Sequence, residues 1–220
     1  MSYKAAFEKA SHEIASKNPA EMAQNSGAAY ENGQFTIQFL NRNLTIHYPD
    51  IKISEPGADD EPPVWLQLTL LHYLINASGA LPATFHCPTE NLRSDEWIVY
   101  RQLPGALSAG GVFQRTVINP LAQAFGEDVE GFKQACTSLG GRYLPKSGDA
   151  AFTFLMLPRL PMAVVLYLGE EGMPPSVNVL FDATASAYLP SEDLILIGEY
   201  LSAALLQQKG LKSPSSAYLF

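Results

Sequence analysis

The stretch that decides the fold is FTFLML at residues 152–157, followed by PRLP at 158–161 and MAVVLYL at 162–168. Short runs of aromatic, β-branched and other apolar residues, bounded by residues that favour turns, are typical of buried strands. We therefore predict two strands in this stretch, joined by the segment that contains the two prolines.

The segments around this pair extend the same pattern. Residues 177–181 predict a third strand, and SED at 191–193 predicts the start of a helix that ends near Gln208. Far upstream, QFTIQF at 34–39 and LTIHY at 44–48 alternate polar and apolar residues, as a hairpin does. Runs of strands with separate helices predict an α+β fold, in which helices pack on an antiparallel or mixed sheet.

The remaining segments indicate one domain with short additions at each end. Residues 64–77 are apolar on most helical faces, which predicts a central helix. We assign residues 1–26 to an N-terminal helical segment, 27–210 to a single α+β domain and 211–220 to a C-terminal tail. A chain of 220 residues buries enough surface for one core without disulfides or metals.

The middle of the chain gives weaker local signals. Residues 96–100, EWIVY, predict a strand, and the glycine-rich residues 103–111 predict a flexible loop. Asn119 followed by Pro120 predicts the start of a helix, because asparagine caps helices and proline favours their first turn.

The charge and cysteine content exclude several classes of function. The formal net charge is −8 without a basic cluster, which argues against binding to nucleic acids or to anionic membranes. Two cysteines, Cys87 and Cys136, fit a reducing compartment and cannot supply a four-cysteine cluster. The N-terminus lacks the apolar core of a signal peptide, and prolines interrupt the most apolar stretch. We expect a cytoplasmic protein.

No catalytic motif is present in the sequence. GALSAG at 105–110 is one residue too long for the nucleophile elbow of serine hydrolases, and neither type of glycine-rich nucleotide motif occurs. The four histidines, His12, His47, His72 and His86, do not have the spacing of a metal-binding helix.

Two histidines are nevertheless candidates for a site. His72 lies inside the apolar helix 64–77, where a polar side chain needs a partner. It is either a core histidine bonded to backbone near the end of the helix, or an axial ligand or catalytic base. His86 adjoins Cys87, and that pair is either part of a loop with one buried thiol or part of a metal site.

Three acidic residues offer a different interpretation. Glu170 and Glu171 form an acid pair at a turn, and Asp182 follows the strand at 177–181. Such carboxylates act as acid–base groups in hydrolases or transferases when their pKa values are perturbed. A solvated turn and a residue that caps the next turn explain the same pattern.

A family resemblance indicates a function other than that of a hydrolase or transferase. It is carried by LHYL at 71–74, by residues 97–105 and by a C-terminal block of LPRLP, LYLGEE, Pro174, LFDATA and YLP between residues 157 and 190. This pattern resembles an uncharacterised domain-of-unknown-function family found mainly in anaerobic bacteria and archaea. The resemblance covers about residues 27–207.

Members of that family are often linked to a four-cysteine iron–sulfur module like that of the corrinoid iron–sulfur protein, or lie near corrinoid-dependent methyl-transfer genes. The resemblance therefore implies a role in handling a corrinoid or its redox partner. This chain lacks the four cysteines of that module, and it has Gly172 and Met173 where a bulkier apolar residue is expected after the acidic turn.

We therefore expect an accessory protein that binds cobalamin, another corrinoid or a related tetrapyrrole. The expected cleft is lined by aromatic residues, with one histidine as the axial ligand; its candidate residues are His72, His86, Trp97, Tyr100 and Phe113. The corrinoid motif Asp-x-His-x-x-Gly is absent, so such a site is of a new kind. The alternative is a non-catalytic adaptor for a redox or methyl-transfer enzyme, with a corrinoid protein or methyltransferase as its partner. The sequence leaves the oligomeric state open.

Overall fold

The computed structural model describes residues 3–82 and 97–219. The expected α+β fold is confirmed, and its strands form two sheets, both antiparallel throughout. The first sheet is a meander in the order β1-β2-β3-β4, with strands β1 Ala29–Glu31, β2 Gln34–Phe39, β3 Arg42–His47 and β4 Lys52–Ser54. The second has the order β5-β9-β8-β7-β6, with strands β5 Trp97–Val99, β6 Arg142–Tyr143, β7 Ala150–Leu157, β8 Leu160–Tyr167 and β9 Ser176–Asp182.

The predicted strand pair at 152–168 forms the centre of the second sheet. β7 and β8 form a hairpin whose turn is Pro158 and Arg159, with Leu157 opposite Leu160. Most residues of both strands are buried, which explains why the strands are mainly apolar instead of alternating. The two sheets are joined where the backbone N–H of Leu40 donates to the carbonyl of Met156 at 2.9 Å.

The helices pack in two groups around these sheets. α1 packs on α3, and the long helix α7 packs against α5 and α6. Their bounds are α1 Tyr3–Ala15, α2 Pro19–Ser26, α3 Val64–Asn76, α4 Gly110–Phe113, α5 Asn119–Phe125, α6 Val129–Ser138, α7 Ser191–Gln208 and α8 Ser216–Leu219. None of the helices within the described ranges combines the length and the apolar character needed to cross a membrane.

The segment before α5 differs from the prediction. The predicted loop at 103–111 contains a 3-10 turn, Ala106–Ala109, and then α4. A π-helical turn, Gln114–Ile118, joins α4 to α5, so Asn119 continues a helix and does not cap a new one. The ring of Pro120 removes a backbone donor from this helix, and such a position favours a local widening of the turn. The Asn119 N–H accordingly donates to the carbonyl of Gln114.

The C-terminal residues pack onto the domain. The carbonyl of Leu219, a buried residue of α8, accepts a hydrogen bond of 3.3 Å from the indole Nε1 of Trp65 in α3. The hydroxyl of Tyr218 donates to the buried carboxylate of Glu199 in α7 at 2.5 Å. These contacts hold the predicted tail segment against the two most apolar helices.

Candidate functional site

A cavity of about 620 Å³ lies between α1, α3, the 3-10 turn Ala106–Ala109 and the start of α7. We call it the His72 cavity. His72 comes from the middle of α3, and Asp193 is the third residue of α7. The side chain of His72 is 31% exposed, so the cavity is open to solvent beside its imidazole.

His72 and Asp193 form a hydrogen-bonded pair at this cavity. His72 Nδ1 lies 2.6 Å from Asp193 Oδ2, and the Asp193 side chain is only 8% exposed. An ionised carboxylate can only accept, so Nδ1 carries the proton. In the neutral imidazole, the lone pair is then on Nε2, the nitrogen that a metal or a proton donor can use.

The electrostatics of the pair follow from its position. The hydrogen bond that His72 donates to Asp193 raises the pKa of His72 above its ordinary value, while burial partly opposes this effect. Two charged residues of α1 have smaller effects: Glu13 raises the pKa of His72 and Lys9 lowers it. A carboxylate in the first turn of α7 also lies near the positive end of the helix dipole, which stabilises its negative charge.

The rest of the wall is mainly apolar, with a few polar groups. Leu68, Ile195 and Leu196 contribute apolar surface. The hydroxyl of Tyr100 donates to the carbonyl of Ser191 at 3.1 Å, and burial raises the pKa of this hydroxyl. Gly105 has a φ of 80°, which favours glycine, and a Cβ at this position would lie 3.2 Å from the Ser191 hydroxyl.

The structure brings two of the five predicted site residues together. His72 and Tyr100 both line the His72 cavity. Phe113 stacks on the far side of Tyr100, with ring centroids 4.4 Å apart, and lines a neighbouring cavity. Trp97 is buried on β5 opposite Asp182, away from the lining of the His72 cavity. His86, like its neighbour Cys87, lies outside the described residues.

Asp193 is the important residue that the sequence did not identify. The interpretation of His72 as a core histidine bonded to backbone is wrong, because its partner is the Asp193 side chain. From the sequence alone, SED at 191–193 predicts only the start of a helix. The available signal was that a carboxylate in an otherwise apolar helix needs a partner, as a buried histidine does.

The three acidic residues do not form a common site. Glu170 and Glu171 are exposed in the turn between β8 and β9, whereas Asp182 is the last residue of β9. A strand rises about 3.3 Å per residue, so the length of β9 separates them. Asp182 accepts hydrogen bonds from the backbone and hydroxyl of Thr184, at 2.8 and 2.6 Å, which is the expected alternative role in a turn.

Among residues 3–82 and 97–219, no group of three or more histidine, cysteine or acidic side chains lies close enough to hold a metal ion by itself. Cys136 is fully buried, and burial raises the pKa of its thiol.

Comparison with known proteins gives one match. A family model described as "Domain of unknown function (DUF3786)" covers residues 18–204, which confirms the expected membership of a domain-of-unknown-function family. No curated protein and no solved structure matches the chain.

Proposed function

We propose that this chain, which belongs to the DUF3786 family of domains of unknown function, binds a corrinoid or a related tetrapyrrole in the His72 cavity. His72 Nε2 is the axial ligand of the bound metal in this proposal. The protein then acts as an accessory or carrier protein in anaerobic one-carbon or methyl-transfer metabolism, the context that the family resemblance implies.

The observation that carries this proposal is the bond between His72 Nδ1 and Asp193. Histidines that bind metals almost always donate their second ring N–H to a carboxylate, carbonyl or water. That bond fixes the tautomer and the orientation of the ring, and it makes Nε2 a stronger donor. The His72 side chain is partly exposed and lines the cavity, which supports a role for its second nitrogen in binding.

The volume and lining of the cavity support a role in binding a small molecule or cofactor. Sites for small molecules and cofactors commonly measure about 300–1,000 Å³ and are mainly apolar, with few polar groups. The volume of about 620 Å³ and the apolar residues of α3 and α7 fall within this description. A tetrapyrrole brings four nitrogen ligands for its own metal, so a single protein donor such as His72 would be enough to hold that metal.

Each residue has a defined role in the proposal. His72 holds the metal, Asp193 holds the imidazole in the correct tautomer, and Tyr100 fixes the start of α7 through the carbonyl of Ser191. Gly105 leaves room for the side-chain hydroxyl of Ser191. The bound cofactor itself would supply a metal centre that carries a methyl group or an electron.

An anoxic absorbance titration tests the proposal. We expect cobinamide, a corrinoid without its own lower base, to show a saturable shift of its visible bands when the protein is added. Haem is titrated in parallel, and a shift with haem alone assigns the cavity to an iron tetrapyrrole. If neither pigment changes its spectrum, the proposal is wrong, and co-purification would then test the adaptor alternative.

Replacing Asp193 with asparagine is expected to weaken pigment binding by about 10- to 100-fold, because this is the usual effect of losing the group that orients a metal-binding histidine. The same titration measures this loss. Asp59→Asn makes the same chemical change at an exposed carboxylate that does not line the cavity, and serves as the matched control. Equal affinities for the wild type and Asp193→Asn would contradict the assigned role.

The pair also predicts a pH dependence of stability. Since the folded pKa of His72 is raised, its ion pair contributes fully below the ordinary histidine value of about 6.5. That contribution is lost as the pH rises through the folded pKa. We expect the wild type to exceed Asp193→Asn by about 1 kcal/mol in unfolding free energy near pH 6, a figure reduced for the exposure of His72.

Urea unfolding near pH 6 and near pH 9 measures this difference. We expect the difference in unfolding free energy between the wild type and Asp193→Asn to be smaller near pH 9 than near pH 6. If this difference grew with pH, the predicted direction of the pH dependence would be wrong.

A further inference from the structure

A second cavity, of about 410 Å³, lies on the other side of Tyr100 from the His72 cavity. It is bounded by the segment after β5, by the π-helical turn Gln114–Ile118 and by β9. We call it the Arg101 cavity.

The lining of the Arg101 cavity combines an apolar surface with one positive charge. Phe113, Ile118, Val177 and Val179 supply apolar surface. Arg101 is the cation, and no carboxylate is among the described residues that line this cavity. The His72 cavity has the opposite character, since two acidic residues of α7 line it.

The exposed side chain of Arg101 packs against Gly110. Its side chain passes over Gly110, where a Cβ atom would lie 2.8 Å from Arg101 Nε and 2.9 Å from its Cγ. Within the part of the chain that the structure describes, Arg101 forms no ion pair. In a protein with a net charge of −8, an exposed guanidinium with no carboxylate among the described lining residues is available to an anionic ligand.

The π-helical turn adds amide groups beside this charge. Gln114 Nε2 donates to Asn119 Oδ1 at 2.9 Å, which joins the two ends of the turn. Both side chains line the cavity, together with that of Asn178 from β9. π-helical turns often occur at functional sites, because the extra residue changes the direction of the side chains around it.

We propose that the Arg101 cavity binds a small monocarboxylate with an apolar body, such as an aromatic or branched carboxylic acid. The guanidinium of Arg101 binds the carboxylate, and the amides of Asn119 and Asn178 are within the same lining. The apolar body packs against Phe113 and the valines of β9. This proposal does not depend on whether the His72 cavity binds a pigment.

A monocarboxylate fits better than a phosphate group. One guanidinium matches one carboxylate in a two-point interaction. A phosphate dianion usually requires further cations or helix N-termini, and Arg101 is the only cation among the described residues of the lining. An inorganic anion would also make no contact with the apolar surface of the cavity.

Isothermal titration calorimetry on the full chain tests this site with phenylacetate, phenylacetamide and inorganic phosphate. We expect phenylacetate to bind at least about 10-fold more tightly than the neutral amide or phosphate, since only it satisfies both parts of the cavity. No heat with phenylacetate at about 10 mM, or equal affinity for the acid and the amide, would overturn the proposal.

Three variants identify the residue responsible. Arg101→Gln is expected to weaken phenylacetate binding by at least about 10-fold. Gly110→Ala suits the helical backbone of Gly110 but displaces the Arg101 side chain, so it is expected to weaken binding without unfolding the protein. Arg115→Gln, on the exposed side of the same helix, is the control and leaves the affinity unchanged. Equal binding by Arg101→Gln and the wild type would refute the assignment.

Discussion

Replacing His72 with alanine is expected to abolish pigment binding, with a loss of at least about 100-fold in affinity. The change removes the Nε2 donor that the proposal assigns to the metal, and His72 is the only histidine among the described residues that line the cavity. Cobinamide absorbance under anoxic conditions measures the loss. His72→Gln is the companion variant, because its amide N–H can still donate to the Asp193 carboxylate while it lacks an imidazole.

Two other histidines provide controls. His47 lies exposed on β3, away from the cavity, so His47→Ala should bind like the wild type. His86 was the second candidate from the sequence, and His86→Ala distinguishes the two assignments. Loss of binding in His86→Ala, with His72→Ala unaffected, would move the axial ligand to the other histidine.

The largest effect on stability is expected for Tyr73→Phe. The hydroxyl of this fully buried residue of α3 donates to the carbonyl of Ser26 at 2.6 Å and accepts from the backbone N–H of Arg159 at 2.9 Å. It thus joins the end of α2 to the β7–β8 turn. Without it, a carbonyl and an N–H lose their partners inside the protein, which costs about 2–4 kcal/mol in unfolding free energy.

Urea unfolding followed by circular dichroism measures this change. Tyr30→Phe is the matched control, because Tyr30 is half-buried and its hydroxyl has no hydrogen-bond partner among the described residues. We expect it to change stability by less than about 0.5 kcal/mol. A Tyr73→Phe protein as stable as the control would show that neither bond contributes.

The elements that the sequence predicted well carry local signals. The strands 152–157 and 162–168 are long apolar runs with turn residues at their ends, and α7 begins at an acidic cluster and ends near a glycine. β1 and β4 were missed because each has only three residues, too few to show a period of two, and neither is a continuous apolar run like β5.

The site could be predicted only in part because its central contact is not local. His72 and Asp193 are 121 positions apart. The sequence around each residue predicts only that it lies in a helix, and does not indicate that the two side chains meet. Tyr100 and Phe113 were found from their aromatic character, but only the packing shows that they stack, that Tyr100 lines both cavities and that Phe113 lines the Arg101 cavity. The π-helical turn escaped prediction because Asn119 and Pro120 have the appearance of a helix start.

The most direct test of the central claim is the electron paramagnetic resonance spectrum of Co(II) cobinamide bound to the protein. This pigment has no lower base, so an axial nitrogen must come from the protein. We predict that each cobalt line is split into a triplet, which becomes a doublet when the protein carries histidine labelled with the heavier nitrogen isotope, and that His72→Gln lacks the splitting. A spectrum without nitrogen splitting, or one that histidine labelling leaves unchanged, would contradict the assignment of His72 as the axial ligand.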